Sequence, residues 1–179
     1  MPETFEIAIK EVLHHEGGYI DHPDDPGGRT ARGITQRVYE KWLGREVTEQ
    51  EMRDLTEETA IAIYKKNYWD RNRCDMVEDA SSPGVAYFLL DFCVNAGRQG
   101  AKCLQRSIGA NPDGVIGPKT VALLKKMDAD YVLEQMHMHR QKFYESLKTF
   151  KTFGRGWTRR NDEALAKGKK MAGLTGQVN

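Results

Sequence analysis

Ser82-Pro83, followed by Val85, Phe88, Leu89, Phe92 and Cys93, is the segment that most limits what this chain can become. Serine before proline marks a helix start. The hydroxyl accepts from an orphan backbone N–H of the first turn, and proline takes a position whose missing N–H costs nothing. The apolar residues then recur at three- and four-residue spacing over a stripe too wide for a surface helix. Such a helix must be enclosed by other elements, and Gly97 ends it.

The rest of the chain reads as the short helices that could enclose it. Phe5, Ile9, Val12 and Leu13 predict a first helix over about residues 3–14, closed by Gly17-Gly18. From Tyr19 to Gly33 the chain is rich in Asp, Pro and Gly, which predicts turns or a short irregular hairpin. Thr35 caps a helix through Leu43, Thr48 with Glu51 is a capping-box pattern, and Thr56 opens a helix reaching roughly Tyr68. Beyond the central helix, Ala101 to Ile108 predicts another, stopped by Gly109, and Pro118 starts a short one through Leu124. Val132, Leu133, Met136, Arg140, Phe143, Tyr144 and Leu147 carry a long helix, a polar one follows Trp157, and the tail from Gly173 is expected to fray. The expected class is all-α, with at most a small β-hairpin in residues 19–34.

Net charge is +1, from 27 basic and 26 acidic residues. A nucleic-acid partner would need a clear basic excess, so none is expected. Lysines and arginines do gather in the second half, where an anionic polymer would find them. Cys74, Cys93 and Cys103 are odd in number and form no CxxC pair, so they read as buried thiols. No run of about 18 apolar residues is present, so no membrane span is expected. Met-Pro-Glu-Thr-Phe-Glu has no basic n-region before an apolar stretch, which leads us to expect synthesis in the cytoplasm without a signal peptide.

The first loop carries the chemistry. Glu16 follows an apolar helix, where partial desolvation would raise its carboxyl from about 4.3 toward roughly 6 and keep it protonated near neutral pH. Asp25 lies in a polar loop where it should stay ionised, and Thr30 offers a hydroxyl to hold a water. Gly17, Gly18, Gly27 and Gly28 allow sharp turns and close backbone approach to a ligand. A protonated acid beside a second group that directs water or steadies positive charge is what glycosidic hydrolysis needs.

His15-Glu16-Gly17-Gly18-Tyr19, Asp24-Asp25-Pro26-Gly27-Gly28, Thr30 and Gly33-Ile34-Thr35 together resemble the N-terminal motif of glycoside hydrolase family 108. These are phage and prophage N-acetylmuramidases of the lysozyme-like superfamily. Asp91-Phe92-Cys93-Val94-Asn95-Ala96-Gly97 is similar to the family's Asp-Phe-x-Val-Asn-x-Gly helix, and Gly156-Trp157 with Arg160 to its Gly-Trp-x-x-Arg close. The resemblance places the catalytic glutamate at Glu16. The spacing to Asp25 is also similar to phage-type lysozymes, in which the following threonine stands one residue farther on, at Ala31 here. The implied fold is lysozyme-like. It would comprise a catalytic region over 1–97 and a helical peptidoglycan-binding-like region over 98–179, packed as one unit.

Four side chains are candidates to touch substrate. Asn95 shares a helix face with Asp91, and it either bonds a sugar acetamido group or the attacking water, or joins Asp91 in a buried polar pair. Tyr68 and Trp69 end one predicted helix, and Tyr19 follows Glu16; each either stacks on sugar or fills core. His14, His15 and His22 near Asp21 and Asp24 suggest a metal only at first sight, because adjacent helical side chains point about 100° apart. No metal and no cofactor are expected. Leu104 to Gly109 followed by Asp113-Gly114-Val115-Ile116-Gly117 and Thr120 resembles peptidoglycan-binding modules, while its glycines read equally as turn formers.

The expected function is therefore an endolysin-type N-acetylmuramidase. It would hydrolyse the β-1,4 bond between N-acetylmuramic acid and N-acetylglucosamine in peptidoglycan strands. A lytic transglycosylase and a non-catalytic peptidoglycan-binding protein are the alternatives. The expected form is a monomer acting on the cell wall after release by a holin or an export partner.

Overall fold

A computed structural model describes residues 3–16, 18–20 and 29–174, with the side chain of Glu16 excluded. The chain forms two compact units, residues 1–67 and 68–179. The described residues are mostly helical with one two-stranded antiparallel hairpin, as the capping and periodicity signals predict.

In the first unit, α1 (Thr4–Glu16) buries Phe5, Ala8, Ile9 and Val12. These four fall at three- and four-residue spacing, so one face enters the core, at about 1.5–3 kcal/mol for each large side chain removed from water. The hairpin follows, with β1 (Thr30–Ala31) paired to β2 (Ile34–Thr35) in the register Thr30 to Thr35 and Ala31 to Ile34. Its two loop residues, Arg32 and Gly33, both have positive φ, 51° and 76°. That is the turn whose twist matches two right-twisted strands. Tyr64 anchors it by donating from its hydroxyl to the Arg32 carbonyl at 3.1 Å.

Three short helices complete this unit: α2 (Gln36–Leu43), α3 (Glu49–Arg53) and α4 (Glu57–Tyr64). Each starts on a threonine whose hydroxyl accepts from the first turn. At α3 the capping box is complete, with Glu51 returning a bond to the Thr48 N–H at 2.8 Å. Past Tyr64 the chain does not stay α-helical to Tyr68 as expected. It loosens into a π-helical segment over Lys65–Asp70.

The second unit is built around α6 (Pro83–Ala96). Ser82 caps it, Pro83 occupies the first turn, and every residue from Gly84 to Cys93 is buried. α5 (Cys74–Ala80), α7 (Arg98–Ser107), α9 (Ala129–Glu145) and α10 (Phe150–Met171) pack on it, and α8 (Pro118–Leu124) packs on α5. Gly97, at φ 58°, is the single residue between the end of α6 and the start of α7. α7 starts three residues before the Ala101 expected and so includes Gly100, which stands where a Cβ would lie 2.5 Å from the Cys93 sulfur. α10 likewise starts seven residues before Trp157. Gly154, inside this earlier start, is covered by the Phe150 ring one turn before it, 2.6 Å from where a Cβ would be.

Candidate active site

α1 ends at Glu16. The Glu16 side chain, Gly17 and residues 21–28, which include Asp21, His22, Asp24 and Asp25, lie outside the described residues. The flanks of that loop are described. Ile20 and Thr30 pair across its base, with backbone bonds of 2.7 and 2.8 Å in the two directions. Thr30 therefore bonds Ile20 on one side and pairs with Thr35 on the other. Neighbouring strand residues face opposite sides. Ala31 is buried, so the half-buried Thr30 faces away from that core side.

Charged side chains tie the same flanks down. The Tyr19 ring lies under the Arg53 guanidinium, 4.2 Å from it, which covers one of its faces. Arg53 donates twice to Glu49, at 2.7 and 3.1 Å, and Glu49 also meets Arg29 at 3.5 Å. The Arg53 bond and charge hold the Glu49 carboxyl below its ordinary range. Arg29 reaches Gln36, which donates to Glu40 at 2.9 Å and to the Val47 carbonyl at 3.3 Å. Both ends of the loop are thus fastened to α2 and α3. These are exposed pairs of small individual worth. The sequence reading missed this set; its only signal was the i, i+4 spacing of Glu49 and Arg53 on α3. The His14 and His15 rings stand 5.8 Å apart at 70°.

In the second unit, Asn95 and Asp91 differ in their surroundings. Asp91 is 1% exposed, and both its oxygens are taken. Arg140 donates to Oδ2 at 2.7 Å, and Arg160 donates to Oδ1 at 3.0 and 3.3 Å. Burial pushes the Asp91 carboxyl up, but the two guanidiniums outweigh it and hold it below its ordinary value. Arg140, fully buried, lies among the rings of Phe88, Phe92 and Tyr144, nearest Phe92 at 4.7 Å. Its Nε donates to the Tyr144 hydroxyl at 2.8 Å, and that hydroxyl meets Asn95 Oδ1 at 2.7 Å. Burial raises the Tyr144 hydroxyl above its ordinary value, so it stays protonated. Asn95 itself is exposed. The half-buried Trp157 stacks on the Tyr144 ring at 5.4 Å.

Tyr68 is half-buried and Trp69 is 5% exposed, so Trp69 contributes chiefly to the core. In the Asp113 to Thr120 loop, the conspicuous residues are spent on one another. Buried Gln105 donates to Asp113 at 2.7 Å and to the Val115 carbonyl at 3.0 Å, meets Thr120 at 3.4 Å, and accepts from the Gly114 N–H at 2.7 Å. Cys74, Cys93 and Cys103 are buried free thiols, and burial raises all three, Cys93 and Cys103 to about 12. Among the described residues, no helix is long and apolar enough to cross a membrane.

Comparison with known proteins adds to this geometry. A family model described as glycosyl hydrolase 108 matches residues 9–97, and one described as a predicted peptidoglycan domain matches residues 99–162. A solved structure of SagA from Brucella abortus is 37% identical over 98% of both chains, with a TM-score of 0.82. No curated protein matches the chain by sequence. The first match spans the loop that follows α1, and the second spans α7 to most of α10. The solved relative extends the likeness across both, so the chain belongs to the glycosyl hydrolase 108 family and is a peptidoglycan-directed glycoside hydrolase.

Proposed function

We propose that the chain is an N-acetylmuramidase that cleaves the β-1,4 bond between N-acetylmuramic acid and N-acetylglucosamine, with Glu16 as general acid. The observation that carries this reading is the place of Glu16. It is the last residue of α1, inside the matched family segment. A helix C-terminus carries partial negative charge, which favours the neutral form of a carboxyl there. A neutral carboxyl can protonate the leaving glycosidic oxygen.

Asp25 is assigned to the charge or the water on the other side of the sugar. Thr30 is assigned to holding that water, supported by its place at the base of the loop and on the face opposite buried Ala31. Tyr19, Tyr68, Trp69 and Asn95 are the side chains assigned to glycan, with Trp69 offering the least surface. An endolysin role, with a pore-forming partner releasing the enzyme to the wall, completes the proposal.

The test is digestion of purified peptidoglycan by wild type and Glu16→Gln, with mass analysis of the fragments. Wild type should release new reducing ends at muramic acid, and Glu16→Gln should lose at least about 100-fold, the scale of general acid catalysis. Anhydro-muramic termini would replace hydrolysis with transglycosylation. Equal activity in Glu16→Gln would remove Glu16 from the mechanism. Co-expression with a holin should lyse cells when expression of either alone does not.

A further inference from the structure

The buried chain of bonds ending at Asn95 has a direction. Arg140 has only donors, so its Nε–H must give to the Tyr144 oxygen, which therefore accepts. The hydroxyl has one hydrogen, and its remaining neighbour is Asn95 Oδ1 at 2.7 Å. Turning the amide over would set an NH2 group against that hydrogen, so the network dictates which end faces Tyr144. The Asn95 Nδ2 group is left over, on an exposed residue, with no hydrogen-bond partner among the described residues. Every link donates the same way, from Arg140 to Tyr144 to Asn95, so each polarises the next and strengthens the terminal donor. Asp91 sets the origin, since its carboxylate holds the Arg140 guanidinium in place at 2.7 Å.

A fixed, polarised N–H donor selects for an acceptor. Water and sugar hydroxyls both give and take, and would be served by either amide orientation. Only an acceptor with no hydrogen of its own needs the orientation this network enforces. The ring and glycosidic ether oxygens are also hydrogen-free but accept weakly; the strongest neutral acceptor of that kind on an N-acetylated sugar is the acetamido carbonyl oxygen. We propose that Arg140 and Tyr144 are positioning residues that lock Asn95 as a donor to the acetamido carbonyl of the substrate, making it a reader of N-acetylation. The inference rests on peptidoglycan being the substrate. The half-buried indole of Trp157 packs on the Tyr144 ring and helps to hold it in place.

The experiment measures kcat and KM of the full chain on native walls and on the same walls after enzymatic de-N-acetylation. Wild type should prefer acetylated walls. Asn95→Asp, which replaces the donor with an acceptor at an exposed position, should lower kcat/KM on acetylated walls by about tenfold, mainly through KM. It should also bring the acetylated-to-deacetylated ratio close to one. Tyr144→Phe should do the same by about fivefold, the worth of one neutral hydrogen bond. Asn95→Ala keeps the test decisive if Tyr144→Phe folds poorly. An unchanged ratio in the Asn95 variants, whatever happens to kcat, would overturn the proposal. Failure of wild type to release any fragment would instead sink the peptidoglycan reading itself.

Discussion

Gly84→Ala is the substitution whose cost can be worked most directly from the structure. Gly84 opens the central helix α6, and Gly168 lies near the end of α10. The two helices meet there backbone to backbone. A Cβ at Gly84 would stand 2.0 Å from the Gly168 carbonyl oxygen and 2.8 Å from its carbon, where ordinary contact begins near 3.4 Å. Neither atom belongs to a flexible side chain, so the helices themselves must part by about 1.4 Å in a close-packed interior. Overpacking of this kind costs about 1–3 kcal/mol, and with backbone on both sides the upper end applies. Alanine returns about 1 kcal/mol of helix propensity, leaving a net loss of about 2 kcal/mol. For a chain of 179 residues this is a fall of about 4–8 °C in Tm. Gly156→Ala, in the same helix α10 but with nothing within 4 Å, is the control and should gain about 0.5–1 kcal/mol. Thermal and urea unfolding followed by circular dichroism measure both. If Gly84→Ala melts at or above the wild-type temperature, the backbone contact between α6 and α10 is wrong.

Asp91→Asn leaves two guanidiniums facing a neutral amide, one of them fully buried, and should cost about 3–5 kcal/mol in urea unfolding at pH 7. Because the folded carboxyl titrates below its ordinary 3.8, its stabilisation is present above that value and is lost as pH falls through the folded pKa. The gap between wild type and Asp91→Asn should therefore narrow below about pH 4, and a constant gap down to pH 2 would contradict the pairing. The three buried cysteines, with thiols pushed far above neutrality, should ignore a disulfide reagent at pH 8 in the native protein and give three equivalents in denaturant. Rapid reaction of any one in the native state would place it at the surface.

Most helix starts were legible because one residue suffices to make them. Thr35, Thr48, Thr56 and Ser82 each satisfy an orphan N–H with a side chain encoded at that position. α5 was not legible. Arg73 precedes it in a left-handed conformation with no side-chain cap, and only Cys74 and Val77 are buried, too few to make a periodic signal. The early starts of α7 and α10 were hidden for a different reason. Gly100 and Gly154 are there for close approach to Cys93 and Phe150, but in sequence a glycine that admits a neighbour looks the same as one that breaks a helix. At the site, pattern could show Asp91 and Asn95 sharing a helix face. It could not show that Arg140 and Tyr144, some fifty residues on, connect them, because both fit the apolar stripe of their own helix.

That connection gives a physical reason for two motifs that look separate in the chain. Asp91 and Asn95 come from one, and Trp157 and Arg160 from the other. In the folded second unit, Arg160 closes on Asp91 while Trp157 stacks on the tyrosine that holds Asn95. A buried ion pair is weak support for stability, since apolar residues of similar volume often serve as well. What apolar residues cannot do is give a hydrogen-bond chain a direction. Asp91 and Arg140 are costly to bury, and the branch of their network that runs through Tyr144 ends at the exposed amide of Asn95. The charges are thus better understood as orienting that amide than as holding α6, α9 and α10 together, which the apolar surfaces of those helices already do.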